Sequence, residues 1–122
     1  MFEISRDRVF SASHQLRGYK GKCEQLHGHN WRVRVWLQAE MLDAIGMVID
    51  FHELDRLMAD AIAPFDHRHL NEVPPFDAIN PSAENLAQVI ALHVARSLPD
   101  SRVRLRCCDV WENELSRARY VP

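Results

Sequence analysis

The chain's shortages are its first information. Glycine occurs 4 times and proline 6 times in 122 residues, which excludes collagen-like repeats and Gly/Pro-rich disorder. No apolar run approaches the ~20 residues of a membrane-spanning helix. Lysine plus arginine, 15, nearly balance aspartate plus glutamate, 17, so the basic footprint of a general nucleic-acid binder is missing. The opening residues MFEISRDR interleave charge with apolar side chains and hold no apolar signal region, so a cytoplasmic location is expected. There the three cysteines should stay reduced. Cys107 and Cys108 read as small buried strand residues. What remains is 47% hydrophobic and 26% charged, the composition of one ordinary globular domain over residues 1–122.

Periodicity divides the chain into strands and helices. Phe2, Ile4, Phe10, Ala12 and His14 recur at period two, and so do Trp31, Val33, Val35, Leu37 and Ala39 in a stretch from about His27 to Glu40. His27 and His29 share the parity of that apolar set, so both imidazoles are expected on one strand face, with Gly28 turned away between them. Asp50 with Glu53 has the form of a capping box. Phe51, Leu54, Leu57, Met58, Ala61 and Ile62 follow at helical spacing and end before Pro64. PFDHRHLNEVPPFDAINP is too rich in proline for regular structure, and a loop of that length in a compact domain is usually functional. Ser82 caps a second helix carrying Leu86, Val89, Ile90, Val94 and Leu98. Val103, Leu105 and Cys107 then alternate with Arg102, Arg104 and Arg106, and 119–121 supply a fourth strand. The order is ββααββ: an α+β fold with a four-stranded antiparallel sheet and two helices packed on one face.

If the first two strands pair as a hairpin, His14 comes opposite His27 and His29. Three imidazoles on one wall of a sheet suit a divalent metal, zinc above all, and three histidines with an open position form a catalytic arrangement. A closed structural site would take a fourth ligand, and Cys23 in CEQLHGHN is the nearby candidate. Burying two imidazoles without partners would otherwise leave ring nitrogens unsatisfied, at roughly 1–3 kcal/mol each.

The segments FSASHQL, CEQLHGHNW, VIDFHEL, FDHRHLN, PSAENLA and VWEN, in this order over nearly the whole chain, resemble the 6-pyruvoyltetrahydropterin synthase and 6-carboxytetrahydropterin synthase family. The resemblance implies the tunnelling fold and a homo-oligomer, trimers stacked into a hexamer, which would cover the exposed edges of a four-stranded sheet. It implies that His14, His27 and His29 hold Zn2+, that Cys23 is the catalytic base and not a ligand, and that Asp66 and His67 form an Asp-His pair acting across a subunit boundary. It also implies that Glu112 binds substrate by anchoring the pterin ring. Asn113 stands where the family commonly has threonine, and His69, two residues after His67, is a rival for its role. Arg17, Lys20 and Lys22, in the loop ahead of Cys23, read first as a solvated basic loop and second as residues that could meet a triphosphate.

The activity implied is that of a zinc-dependent carbon-oxygen/carbon-carbon lyase on 7,8-dihydroneopterin triphosphate, a small-molecule substrate; neither nucleic acid nor membrane is expected as a partner. The three-residue gap between Cys23 and His27 resembles the bacterial branch that forms 6-carboxy-5,6,7,8-tetrahydropterin, acetaldehyde and triphosphate in queuosine biosynthesis. The alternative is 6-pyruvoyltetrahydropterin synthase, which eliminates triphosphate and keeps the side chain whole. From other classes, a closed zinc module would use Cys23 as fourth ligand, and a cysteine hydrolase would pair Cys23 with His67 and Asp66.

Overall fold

The computed structural model describes residues 1–21 and 24–122. Strands β1 (Phe2–His14) and β2 (His27–Ala39) form the expected hairpin, in unbroken register from Phe2 opposite Ala39 to His14 opposite His27. Helix α1 (Phe51–Ile62) follows, then β3 (Arg68–His69), a single 3-10 turn at Leu70–Glu72, α2 (Ala83–Arg96), β4 (Arg104–Asn113) and β5 (Ser116–Tyr120). The sheet order is β3-β1-β2-β4-β5.

Strand number is the first correction. The expected four antiparallel strands are present, but β3 adds a fifth, parallel to β1 through Ala12–Arg68 and Ser13–His69. The cause lies in the proline-rich loop, which covers an open edge: His67 N–H donates to Ser11 O at 2.6 Å, and Ser11 N–H donates to Asp66 Oδ1 at 3.1 Å. Backbone groups of β1 that would otherwise lack partners are thereby satisfied.

Both helix starts follow their caps. Asp50 accepts from His52 N–H at 2.7 Å and Ser82 from Asn85 N–H at 3.2 Å. The reciprocal half of the capping box is absent, because Glu53 turns to Arg56 at 2.7 Å. Leu54, Leu57, Met58, Ala61 and Ile62 are buried as expected, whereas Phe51 is about half exposed. In α2 the dry stripe is Leu86, Ala87, Ile90, Ala91 and Val94, with Val89 at its margin, whereas Leu98, expected on the same stripe, lies past the helix end at Arg96 and packs partly buried against the core.

The third long strand departs from simple alternation. Leu105 lies opposite Leu37 but Cys107 opposite Trp36, so Arg106 is an extra residue on β4. This is a β-bulge, and one extra residue reverses which face every later side chain occupies. Cys108 and Val110 therefore join Val35 and Val33 in the core, while Cys107, Asp109 and Trp111 go to the face without helices. Extending the Val103–Leu105–Cys107 pattern would have placed Cys107 with the core and Glu112 away from the histidines.

Candidate metal centre and substrate site

At one end of the helix-covered face the aliphatic core gives way to three imidazoles. β1 delivers His14, β2 delivers His27 and His29, and the Arg106 bulge delivers Glu112 from β4. The four residues present ligand atoms within 4.8 Å of one another. Trp31 packs edge-on against His14 and His29, with ring centroids 4.9 and 5.1 Å away. Its indole N–H donates to Ala12 O at 3.2 Å, so the cluster's apolar neighbour is itself held in place.

The ring nitrogens show what the cluster lacks. His14 Nδ1 lies 2.8 Å from Pro81 O and His27 Nδ1 lies 2.7 Å from Gln25 O. A carbonyl only accepts, so both Nδ1 atoms carry the proton and both Nε2 atoms present lone pairs in the neutral rings. Those two Nε2 atoms are 2.9 Å apart. Glu112 Oε1, also an acceptor when ionised, lies 3.1 Å from His14 Nε2 and 2.9 Å from His29 Nε2. Buried His29 Nε2 has no hydrogen-bond partner, because that short approach lacks hydrogen-bond geometry. Burial lowers the pKa of His29, partly opposed by Glu112 and reinforced by the other two imidazoles. Acceptors converging without donors need a cation among them, and this donor set fits a divalent metal of the zinc type. His27 and Glu112 keep about a third of their side-chain area open, so the cluster is accessible from one side.

The other expected site residues are placed as follows. Cys23, the expected base, lies outside the described residues, as does Lys22. Asp66 and His67 are brought together, with His67 Nδ1 2.9 Å from Asp66 Oδ1 and the imidazole 82% exposed. His67 has φ 59°, a left-handed conformation uncommon outside glycine and asparagine, maintained here by the Ser11 contacts. His69 is held instead, its Nδ1 3.0 Å from Ser13 Oγ. Arg17 is no free basic residue: its guanidinium donates to Asn71 O, Phe76 O and Ile79 O. Lys20 lies over the Tyr19 ring, 5.4 Å from its centroid. A residue missed from sequence is Glu24, whose Oε1 comes within 3.7 Å of His27 Nε2. Its place three residues before His27 was the available signal.

Comparison with known proteins decides the lineage. The profile of the family "6-pyruvoyl tetrahydropterin synthase" matches residues 3–122. The chain belongs to this family. It is 33% identical over 129 residues to the 6-carboxy-5,6,7,8-tetrahydropterin synthase of Synechocystis, covering 98% of this chain and 93% of the relative. It is 31% identical over 103 residues to the dihydroneopterin monophosphate aldolase of Pyrococcus furiosus, covering 84% and 82%. The fold matches the structure of Caenorhabditis elegans 6-pyruvoyl tetrahydropterin synthase with a TM-score of 0.87 at 27% identity, covering 99% of this chain and 95% of that one. This pterin synthase family thus includes relatives bearing three activity names at comparable similarity. No helix among the described residues is long and apolar enough to cross a membrane.

Proposed function

We propose that the protein is a zinc-dependent lyase converting 7,8-dihydroneopterin triphosphate, with water, to 6-carboxy-5,6,7,8-tetrahydropterin, acetaldehyde and triphosphate, a step toward queuosine and related deazapurines. The observation that carries it is the set of facing acceptors at His14, His27, His29 and Glu112. His14, His27 and His29 would hold the ion. When bound, a divalent ion supplies Lewis acidity toward the substrate's side-chain hydroxyls and acidifies the adjoining C–H bonds. Cys23 removes the proton from the side-chain carbon, its thiolate favoured by nearby positive charge. Asp66 orients His67, whose exposed ring serves the thiol of a neighbouring copy in a homo-oligomer. Glu112 accepts two parallel hydrogen bonds from the 2-amino-pyrimidinone edge of the pterin. The three-residue gap between Cys23 and His27 supports the 6-carboxy product.

Glu24 favours a second reading. It adjoins Cys23 in sequence and approaches His27 Nε2, so a carboxylate base is available at the histidine cluster. Taking the proton from the second side-chain hydroxyl would break the bond between the first and second side-chain carbons, with the electron pair flowing into the pterin imine. The products are then a 6-hydroxymethyl pterin and a hydroxyaldehyde that keeps the phosphates. The deciding experiment is product analysis on 7,8-dihydroneopterin triphosphate. Acetaldehyde released in step with triphosphate, with a 6-carboxylate on the pterin, is the expected result. A phosphorylated hydroxyaldehyde selects the second reading. Triphosphate without any aldehyde, and a pterin retaining three side-chain carbons, selects the 6-pyruvoyl alternative.

A further inference from the structure

Beyond β1 the chain behaves as a strand whose neighbours are side chains. Gln15 N–H donates to Asn71 Oδ1 at 2.9 Å while Asn71 Nδ2 donates to Gln15 O at 2.7 Å. Two residues on, Arg17 N–H donates to Asn80 Oδ1 at 2.8 Å and Asn80 Nδ2 donates to Arg17 O at 2.9 Å. Each asparagine amide offers a donor and an acceptor at once, as a strand backbone would. The opposite edge is closed by Leu16 O, which accepts from Glu24 N–H at 2.9 Å. The Arg17 guanidinium donates to three carbonyls of the facing loop, Phe76 O at 2.7 Å and Asn71 O and Ile79 O at 3.2 Å each.

This loop ends at Pro81, whose carbonyl accepts from His14 Nδ1. Pro81 is fixed from both sides. Asn80 before it is tied to Arg17 and receives Asn85 Nδ2 on its own carbonyl at 2.8 Å, and Ser82 after it caps α2. We infer that Arg17, which touches no ligand atom, is a positioning residue for the metal centre, setting the Pro81 carbonyl that selects the His14 tautomer. Without that acceptor the proton can pass to Nε2 and remove the lone pair His14 presents to an ion. Partners that act through a ligand in this way typically change metal affinity by 10–100-fold.

The inference rests on the metal reading above, and its test separates the two. Arg17→Met keeps the aliphatic stem and removes the three donors. Zinc affinity is measured by chelator competition on protein shown to be folded by circular dichroism, and the His14 imidazole nitrogens are followed by NMR without metal. The expected result is affinity weakened by about 10-fold and faster exchange of the His14 Nδ1 proton. Asp109→Asn, a destabilising change on the other face of the sheet, should move neither. Should Arg17→Met fail to fold, Asn80→Asp retains the acceptor for Arg17 N–H, removes the return donor and should shift both readouts the same way. Wild-type affinity and wild-type proton exchange in whichever variant folds overturn the inference. Failure of the wild type to bind zinc overturns the metal reading instead, and the metal-free NMR result still decides the role of Arg17.

Discussion

Among the described residues two polar side chains are fully buried, His14 at 1% exposure on the helix-covered face and Asp109 at 0% on the other. Their surroundings are opposite. Asp109 is saturated: Arg119 donates to both its oxygens at 2.7 and 2.9 Å, and Trp36 Nε1 donates at 3.1 Å. Burial pushes its pKa up, but these donors outweigh burial and hold the carboxyl below the usual value. His14 is satisfied at Nδ1 alone, and its Nε2 faces the lone pair of His27. Equal burial thus serves two ends: a closed network fixes β4 against β2 and β5, and an open one keeps acceptor capacity in reserve for a ligand.

Breaking the open network should produce the largest effects. The protein should hold about one zinc per chain, and His27→Ala should reduce affinity ~100-fold or more while leaving the fold intact by circular dichroism; elemental analysis with chelator competition reads this directly. Cys23→Ala should lower turnover ~100-fold while zinc content stays unchanged, and loss of zinc together with activity would make the thiol a ligand. Glu112→Ala should weaken pterin binding by about 2–4 kcal/mol in calorimetry, and unchanged affinity would leave Glu112 a purely structural strand-end residue.

On the closed side the effect should move from chemistry to stability. Asp109→Asn should cost about 2 kcal/mol in urea unfolding and spare zinc, since half-exposed Arg119 can turn to water. Because the Asp109 pKa is depressed on folding, its stabilisation is complete above the ordinary aspartate pKa of about 3.9 and is lost as pH falls through the lower folded value. The variant should therefore lose less stability than wild type as pH falls below about 4. The smallest effect belongs to Asp7→Asn. Its bidentate pair with Arg34 is roughly a third exposed and contributes under about 1 kcal/mol.

The sequence disclosed what depends on period and on local caps. Parity placed His27 and His29 together, the hairpin register placed His14 beside them, and Asp50 and Ser82 marked the helix starts. Three features escaped because each depends on partners remote in the chain. The β4 bulge has no signature in Arg104-Leu105-Arg106-Cys107, where alternation runs on smoothly and only the register with β2 reveals the extra residue. β3 is two residues long, too short for periodicity to register, and forms because β1 has an edge to cover. Asn71 and Asn80 read as ordinary loop residues, and Arg17 as a solvent-facing cation, until the fold sets them against each other. The Asp66–His67 pair is legible as a motif and visible as a contact.

The extra residue at Arg106 acts as a phase element. Past it, the side of the sheet reached by each β4 residue, Glu112 included, depends on whether an odd or even number of residues separates it from the bulge. With the bulge and its register kept, deleting Cys107 would leave the composition of the strand nearly untouched, yet turn the Glu112 carboxylate away from the histidines and exchange Cys108 and Val110 for Asp109 and Trp111 in the core. A single-residue deletion in this short stretch is thus equivalent to several simultaneous substitutions, and the metal centre and the Asp109 network share one tolerance for length.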